Sequence, residues 1–178
     1  MPSGAFAQAH PAMNATLGER LLSALELAGQ PALELFSGSG NFTVLLARHT
    51  ASLTAVESEP RAVEAARANL ASRGLAARLV AADADAFEIP SAVRTVVLDP
   101  PRTGAPGAAK RIARSKARRV AYVSCNVSTL ARDVATLEAG GLRLSRVETF
   151  EMFPHTSHVE VLAVLDRGAR AKSSGGAR

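Results

Sequence analysis

After Gly29 and Pro31 the chain falls into a repeated alternation of short β-type runs and Ala-rich helical segments, and this alternation restricts the fold more than any other feature. The strand candidates are 32–36, 53–57, 77–82, 95–99, 120–124, 142–150 and 159–165. Helix candidates lie between them at about 42–49, 60–73, 106–115 and 128–139, with Gly74 and Gly140 as natural stops. Parallel strands need crossover connections, so strands that alternate with helices predict a mostly parallel sheet covered on both faces. Only residues 151–158 separate the last two strands, too few for a crossover helix, so the last strand should run antiparallel. The expected fold is α/β and Rossmann-like, with a seven-stranded, mostly parallel sheet and an antiparallel last strand. Ahead of it, Leu17, Leu21, Leu22 and Leu25 recur at helical spacing behind Asn14, a residue type that caps helices, which predicts a first helix over about 15–28.

The 178 residues, 47% of them hydrophobic, suffice for one core. We divide them into a lead and first helix over 1–30, a main domain over 31–166 and a flexible basic tail over 167–178. Charge or Gly interrupts the apolar runs well short of a membrane span, and Met1-Pro2-Ser3-Gly4 lacks the basic start of a signal peptide, so a cytoplasmic protein is expected. A single Cys cannot form an internal disulfide or hold a metal cluster alone. Net charge is +5, and Lys110, Arg111, Arg114, Lys116, Arg118 and Arg119 crowd into one stretch. Such a cluster suits a polyanion, although the solvated face of a helix would look the same.

The candidate site residues gather where strands end. Leu33-Glu34-Leu35-Phe36-Ser37-Gly38-Ser39-Gly40-Asn41-Phe42 reads as a strand, a Gly-rich turn and a helix start, and Gly38 and Gly40 let a ligand approach the backbone. The third Gly of a dinucleotide fingerprint would fall at Thr43, which argues against a nicotinamide cofactor. Glu57 ends the second strand, where an acid commonly meets a ribose. Asp83 and Asp99 close the next two, suited to the adenine and the far end of a nucleoside cofactor. Asp99-Pro100-Pro101-Arg102-Thr103-Gly104 is a stiff loop fit to wall an active site. Ser124-Cys125-Asn126 closes the neighbouring strand just before a helix, which brings the thiol beside that loop. Glu160 begins the antiparallel strand at the same edge. His155 and His158 have no third convergent ligand, so no metal is expected.

These motifs together resemble the uracil-5 RNA methyltransferase family, class I enzymes that use S-adenosylmethionine to modify transfer and ribosomal RNA. The resemblance runs over about residues 6–166 and rests on Phe6-Ala7-Gln8, the Phe36 to Phe42 turn, the Asp-Pro-Pro-Arg-Thr-Gly loop, Ser124-Cys125-Asn126 and Phe153-Pro154-His155-Thr156-Ser157-His158-Val159-Glu160. His10 departs from the pattern, where Asn would be expected. The resemblance implies S-adenosylmethionine as cofactor, with Gln8, Phe36, Asn41, Glu57, Asp83 and Asp99 contacting it beside the Gly38 and Gly40 turn. It also implies Cys125 as nucleophile and Glu160 as general base, forming 5-methyluridine in tRNA or rRNA through a covalent adduct. Family members usually carry further RNA-binding domains, so a fragment, a minimal enzyme or one half of an assembly with a separate RNA-binding partner is expected. Two other readings stay open: an amino-group methyltransferase using the Asp-Pro-Pro loop, and a noncatalytic S-adenosylmethionine-binding module.

Overall fold

In the computed structural model, which describes residues 11–25, 27, 29–151 and 159–168, seven strands form one sheet. They are β1 (Pro31–Leu35), β2 (Ser52–Glu57), β3 (Arg78–Ala81), β4 (Thr95–Leu98), β5 (Arg119–Ser124), β6 (Arg143–Glu151) and β7 (Val159–Asp166). Their spatial order is β3-β2-β1-β4-β5-β7-β6. The first five pair in parallel, and β7 lies between β5 and β6, antiparallel to both. With only residues 152–158 between β6 and β7, the last strand is antiparallel, as expected.

Alternate residues of each strand feed two cores. On one face Leu33, Leu35, Leu98 and Tyr122 pack against α4 (Pro106–Arg114) and α5 (Val127–Ala139) through Ile112, Leu130 and Leu137. On the other, Ala32, Val97, Val123 and Leu162 meet α1 (Pro11–Leu25) and α2 (Asn41–Leu46) through Leu17, Leu21, Leu25, Phe42 and Leu46. α3 (Pro60–Ala71) packs beside α2 and against β2 and β3. Each fully buried Leu contributes about 1.5–3 kcal/mol.

Helix α1 begins at Pro11, a turn earlier than its sequence suggested, and ends at Leu25. Asn14 is therefore not its cap. Its side-chain amide instead exchanges hydrogen bonds of 2.9 and 3.0 Å with that of Asn41, tying the first helix to the start of α2. Side chains supply acceptors at other helix starts: Glu59 accepts from Arg61 N ahead of α3, and Asn126 accepts from Ser128 N and Thr129 N ahead of α5. At the opposite ends Arg167 donates to the carbonyls of Ala113 and Gly140, so one guanidinium satisfies the C-termini of both α4 and α5. The edge strand β6 carries a register shift between Leu144 and Arg146, and Ser145 Oγ within it donates to Val164 O and Asp166 Oδ2. Among the described residues no helix is long and apolar enough to cross a membrane.

Candidate active site

The strand order reverses between β1 and β4, and in open α/β sheets the crevice beyond the carboxyl ends at such a point is where ligands bind. Residues 36–41 fill one side of this crevice. Phe36 has φ 62, the one positive value among described residues other than Gly, and such strain is concentrated at functional turns. Gly38 (φ 53) and Gly40 (φ 89) complete the bend. A Cβ on Gly38 would meet no atom within 4 Å, whereas one on Gly40 would lie 3.1 Å from Ala66 Cβ. The turn is thus open on its outer side and tight against α3.

Glu57 holds this turn from the neighbouring strand. Its Oε2 accepts from Gly38 N at 2.9 Å and its Oε1 from Glu59 N at 2.9 Å. Asn41 is exposed and paired with Asn14. Asp83, just past β3, is exposed and accepts from Asp85 N at 2.9 Å. Gln8 and the 152–158 segment lie outside the described residues.

On the other side of the crevice stand Asp99, Cys125 and Glu160. Asp99 follows β4, with its N–H directed at Leu35 O of β1. The β5–β7 register ends at Ser124↔Val161 and, continued by one residue, sets Cys125 opposite Glu160. Antiparallel partners stand about 5 Å apart at Cα. Val97, Val123 and Leu162 all face the α1–α2 core, so by strand alternation Asp99, Cys125 and Glu160 share that face. All three are half-buried. Burial raises the Glu160 carboxyl above the usual carboxylate range, opposed by the Arg102 guanidinium. Burial also pushes Asp99 up to about 7, and the negative charge of Glu160 adds to the rise. Two carboxyls with raised proton affinity beside a thiol form a constellation able to move protons at a reacting carbon.

Sequence reasoning passed over three residues. Glu34, on β1 behind the Gly turn, is buried, and its Oε2 and the neighbouring Thr43 Oγ1 make no hydrogen bond of ordinary geometry. Burial drives its carboxyl to about 8, with Thr43 offsetting part of the rise and Asp99 adding to it. The signal was an acid between two Leu in an otherwise apolar strand. Arg102 was read only as part of a stiff loop, yet its charge reaches Glu160. Asp133, the third, sits on the apolar stripe of α5 with Leu130, Val134 and Leu137, and its position on that stripe was the available cue. The basic cluster lies elsewhere. α4 leaves the carboxyl edge and runs to the amino edge, so Lys116 and Arg118 meet Arg94 and Arg167 there, roughly 20 Å from Cys125 along β5 at about 3.3 Å per residue.

Residues 77–168 match the tRNA (Uracil-5-)-methyltransferase family, and residues 32–100 match a general methyltransferase domain. The chain is 39% identical over 175 residues to the 23S rRNA (uracil(1939)-C(5))-methyltransferase RlmD of Edwardsiella ictaluri, covering 93% of this chain and 39% of that protein. It is 40% identical over 172 residues to the RlmD of Pseudomonas aeruginosa, covering 93% and 38%. It thus spans about two fifths of the length of these curated relatives. The crystal structure of the Pyrococcus abyssi tRNA (uracil-54, C5)-methyltransferase in complex with S-adenosyl-L-homocysteine superposes with a TM-score of 0.82 at 33% identity, covering 91% of this chain and 40% of that one. The N-methyltransferase NodS of Bradyrhizobium japonicum, at 18% identity and a TM-score of 0.73 over 89% of this chain and 98% of that one, shares the class I fold alone. The chain belongs to the uracil-5 RNA methyltransferase family.

Proposed function

We propose that this chain carries the catalytic domain of an S-adenosylmethionine-dependent enzyme that forms 5-methyluridine in tRNA or rRNA. The observation that supports the reading is the β5–β7 register, which ends at Ser124↔Val161 and, carried on by one residue, brings Cys125 across from Glu160, whose charge acts on Asp99. The crevice fits the cofactor. Gly38 leaves open space for a ligand against the backbone, Glu57 and Asp83 offer carboxylate acceptors for ribose and adenine, and Asp99 suits the cationic amino acid end. Phe36 and Asn41 flank the same opening, and Gln8 joins them by family resemblance. When bound, S-adenosylmethionine supplies an electrophilic methyl group.

Carbon 5 of uracil is a weak nucleophile. The Cys125 thiolate forms a carbon–sulfur bond to carbon 6, which leaves carbon 5 electron-rich and able to take the methyl group. Glu160 then accepts the proton from carbon 5, and the released electron pair expels the thiolate, restoring the ring. Burial raises the proton affinity of Glu160, which suits a group that must take up a proton in this step. A base in folded RNA must leave its stack to reach the thiol.

Two variants test the order of events. Glu160→Gln keeps the nucleophile and removes the base, so a methylated protein–RNA adduct should accumulate on denaturing gels. Cys125→Ala should give neither adduct nor product while still binding the cofactor. Methylated uracil from Cys125→Ala, or normal turnover by Glu160→Gln, overturns the mechanism. Methylation of an amino group by Cys125→Ala would point to chemistry at the Asp-Pro-Pro loop instead.

A further inference from the structure

Asp133 is fully buried on α5, and nothing in the proposed chemistry uses it. A buried carboxylate must be well satisfied, and this one is. Its Oδ2 accepts from the Ala105 backbone N–H and from the Tyr122 hydroxyl, both at 2.7 Å, and Arg132 Nε donates to its Oδ1 at 2.9 Å. Burial and the bond to Asp133 push the Tyr122 hydroxyl far above its ordinary range, so it stays protonated as a donor. Arg132 reaches onward to Thr103 O at 2.9 Å. One turn earlier, Asn126 Nδ2 and Thr129 Oγ1 both donate to Arg102 O at 3.1 Å. The start of α5 thereby holds Arg102, Thr103 and Ala105. Between them Gly104 has φ +76, and a Cβ there would come within 2.5 Å of Arg132 Nη2 and 2.6 Å of Asp133 Oδ2. The loop is packed so closely that a side chain would force it away.

We infer that Asp133 is a positioning residue for the reaction: with Tyr122, Arg132 and the Ala105 N–H it locks the 100–105 loop to the turn that carries Cys125. Tyr122 belongs to the strand that ends just before Cys125, and Asn126, which caps α5, follows Cys125 directly. The same acid therefore braces both walls of the space between thiol and loop, and the loop carries the Arg102 charge that acts on Glu160. The kinetic consequence rests on the proposed roles of Cys125 and Glu160; the mechanical lock does not.

Cys125 is the only cysteine of the chain, so its alkylation by iodoacetamide reports on this turn alone. Asp133→Asn keeps the shape but turns one acceptor into a donor, so in either amide orientation a donor faces a donor. With cooperative melting retained, alkylation should accelerate about fivefold or more, the effect of losing one such constraint; a rate within about twofold of wild type overturns the lock. Should Asp133→Asn fail to fold, Tyr122→Phe and Thr129→Val each remove a single hydroxyl and are judged by the same rates. On an RNA substrate, the folded variant should lose kcat while its affinity for S-adenosylmethionine is kept; a lowered melting temperature with kcat unchanged means that Asp133 serves stability only. A wild-type chain that turns over no RNA counts against the proposed function, and the alkylation rates still decide the lock.

Discussion

Glu34 shows how far a residue's setting can depart from its local sequence. It occupies an ordinary strand position between Leu33 and Leu35, and tertiary packing, with Thr43 of α2 beside it, makes it a buried acid. Its carboxyl rises from 4.5 to about 8, chiefly through burial. The unfolded chain therefore releases this proton at lower pH than the folded chain does, and the folded state loses relative stability as pH climbs from about 4.5 to about 8. Glu34→Gln removes that titration. Its melting temperature should fall several degrees less than that of the wild type between about pH 5 and pH 8, at about 2–4 °C per kcal/mol. Parallel pH profiles in calorimetry would mean that Glu34 does not titrate in this window. The contrast with Asp99 is instructive. Its place at a strand end beside two prolines could be read from sequence, whereas its rise to about 7 depends on burial and on Glu160, a residue sixty-one positions away whose proximity the β5–β7 register creates.

At the scale of elements, the alternation of strands and helices was plain because most strands are short runs rich in Val and Thr and the longer helices are rich in Ala, although β1 has no β-branched residue and α2 no Ala. Less visible were features that need two elements at once. Asn14 has the chemistry of a cap, but its partner is Asn41 on another helix, and the Ser145 irregularity depends on the pairing of β6 with β7. The Gly turn between β1 and α2 separates two demands on glycine. Gly40 needs its left-handed backbone and also the space beside Ala66, so Gly40→Ala adds a steric clash to a conformational penalty of about 1–2 kcal/mol. Gly38 has similar strain but open space beyond it. Gly40→Ala should therefore lower the melting temperature more than Gly38→Ala, while Gly38→Ala should weaken S-adenosylmethionine binding more for a given loss of stability. Thermal melts paired with titration calorimetry read both quantities, and the reverse ranking would mean that the ligand does not approach the turn at Gly38.

For the whole molecule the main question is how a basic surface on one edge of the sheet relates to chemistry on the other. The cluster at 110–119 was legible as charge, but its location follows from the direction of α4, which carries Arg114, Lys116 and Arg118 to the amino edge. These three side chains are exposed. The separation from Cys125, roughly 20 Å for a strand of this length, exceeds the Debye length of about 8 Å at physiological salt. Charge on that edge therefore cannot act through space on phosphates bound near the thiol; it can act only on RNA that touches it. Replacing Arg114, Lys116 and Arg118 with Gln should leave the salt dependence of binding unchanged for a dinucleotide, too short to span the two edges even when extended to roughly twice the stacked spacing of about 3.4 Å per nucleotide. With a long folded RNA that reaches both edges, the slope of log affinity against log salt should fall by about 0.7–0.9 for each phosphate that is no longer neutralised. Filter binding at several salt concentrations measures both slopes. A slope that also stays unchanged with the long RNA would make this surface a solvated helix face, and RNA affinity would then have to come from the catalytic edge or from a separate domain.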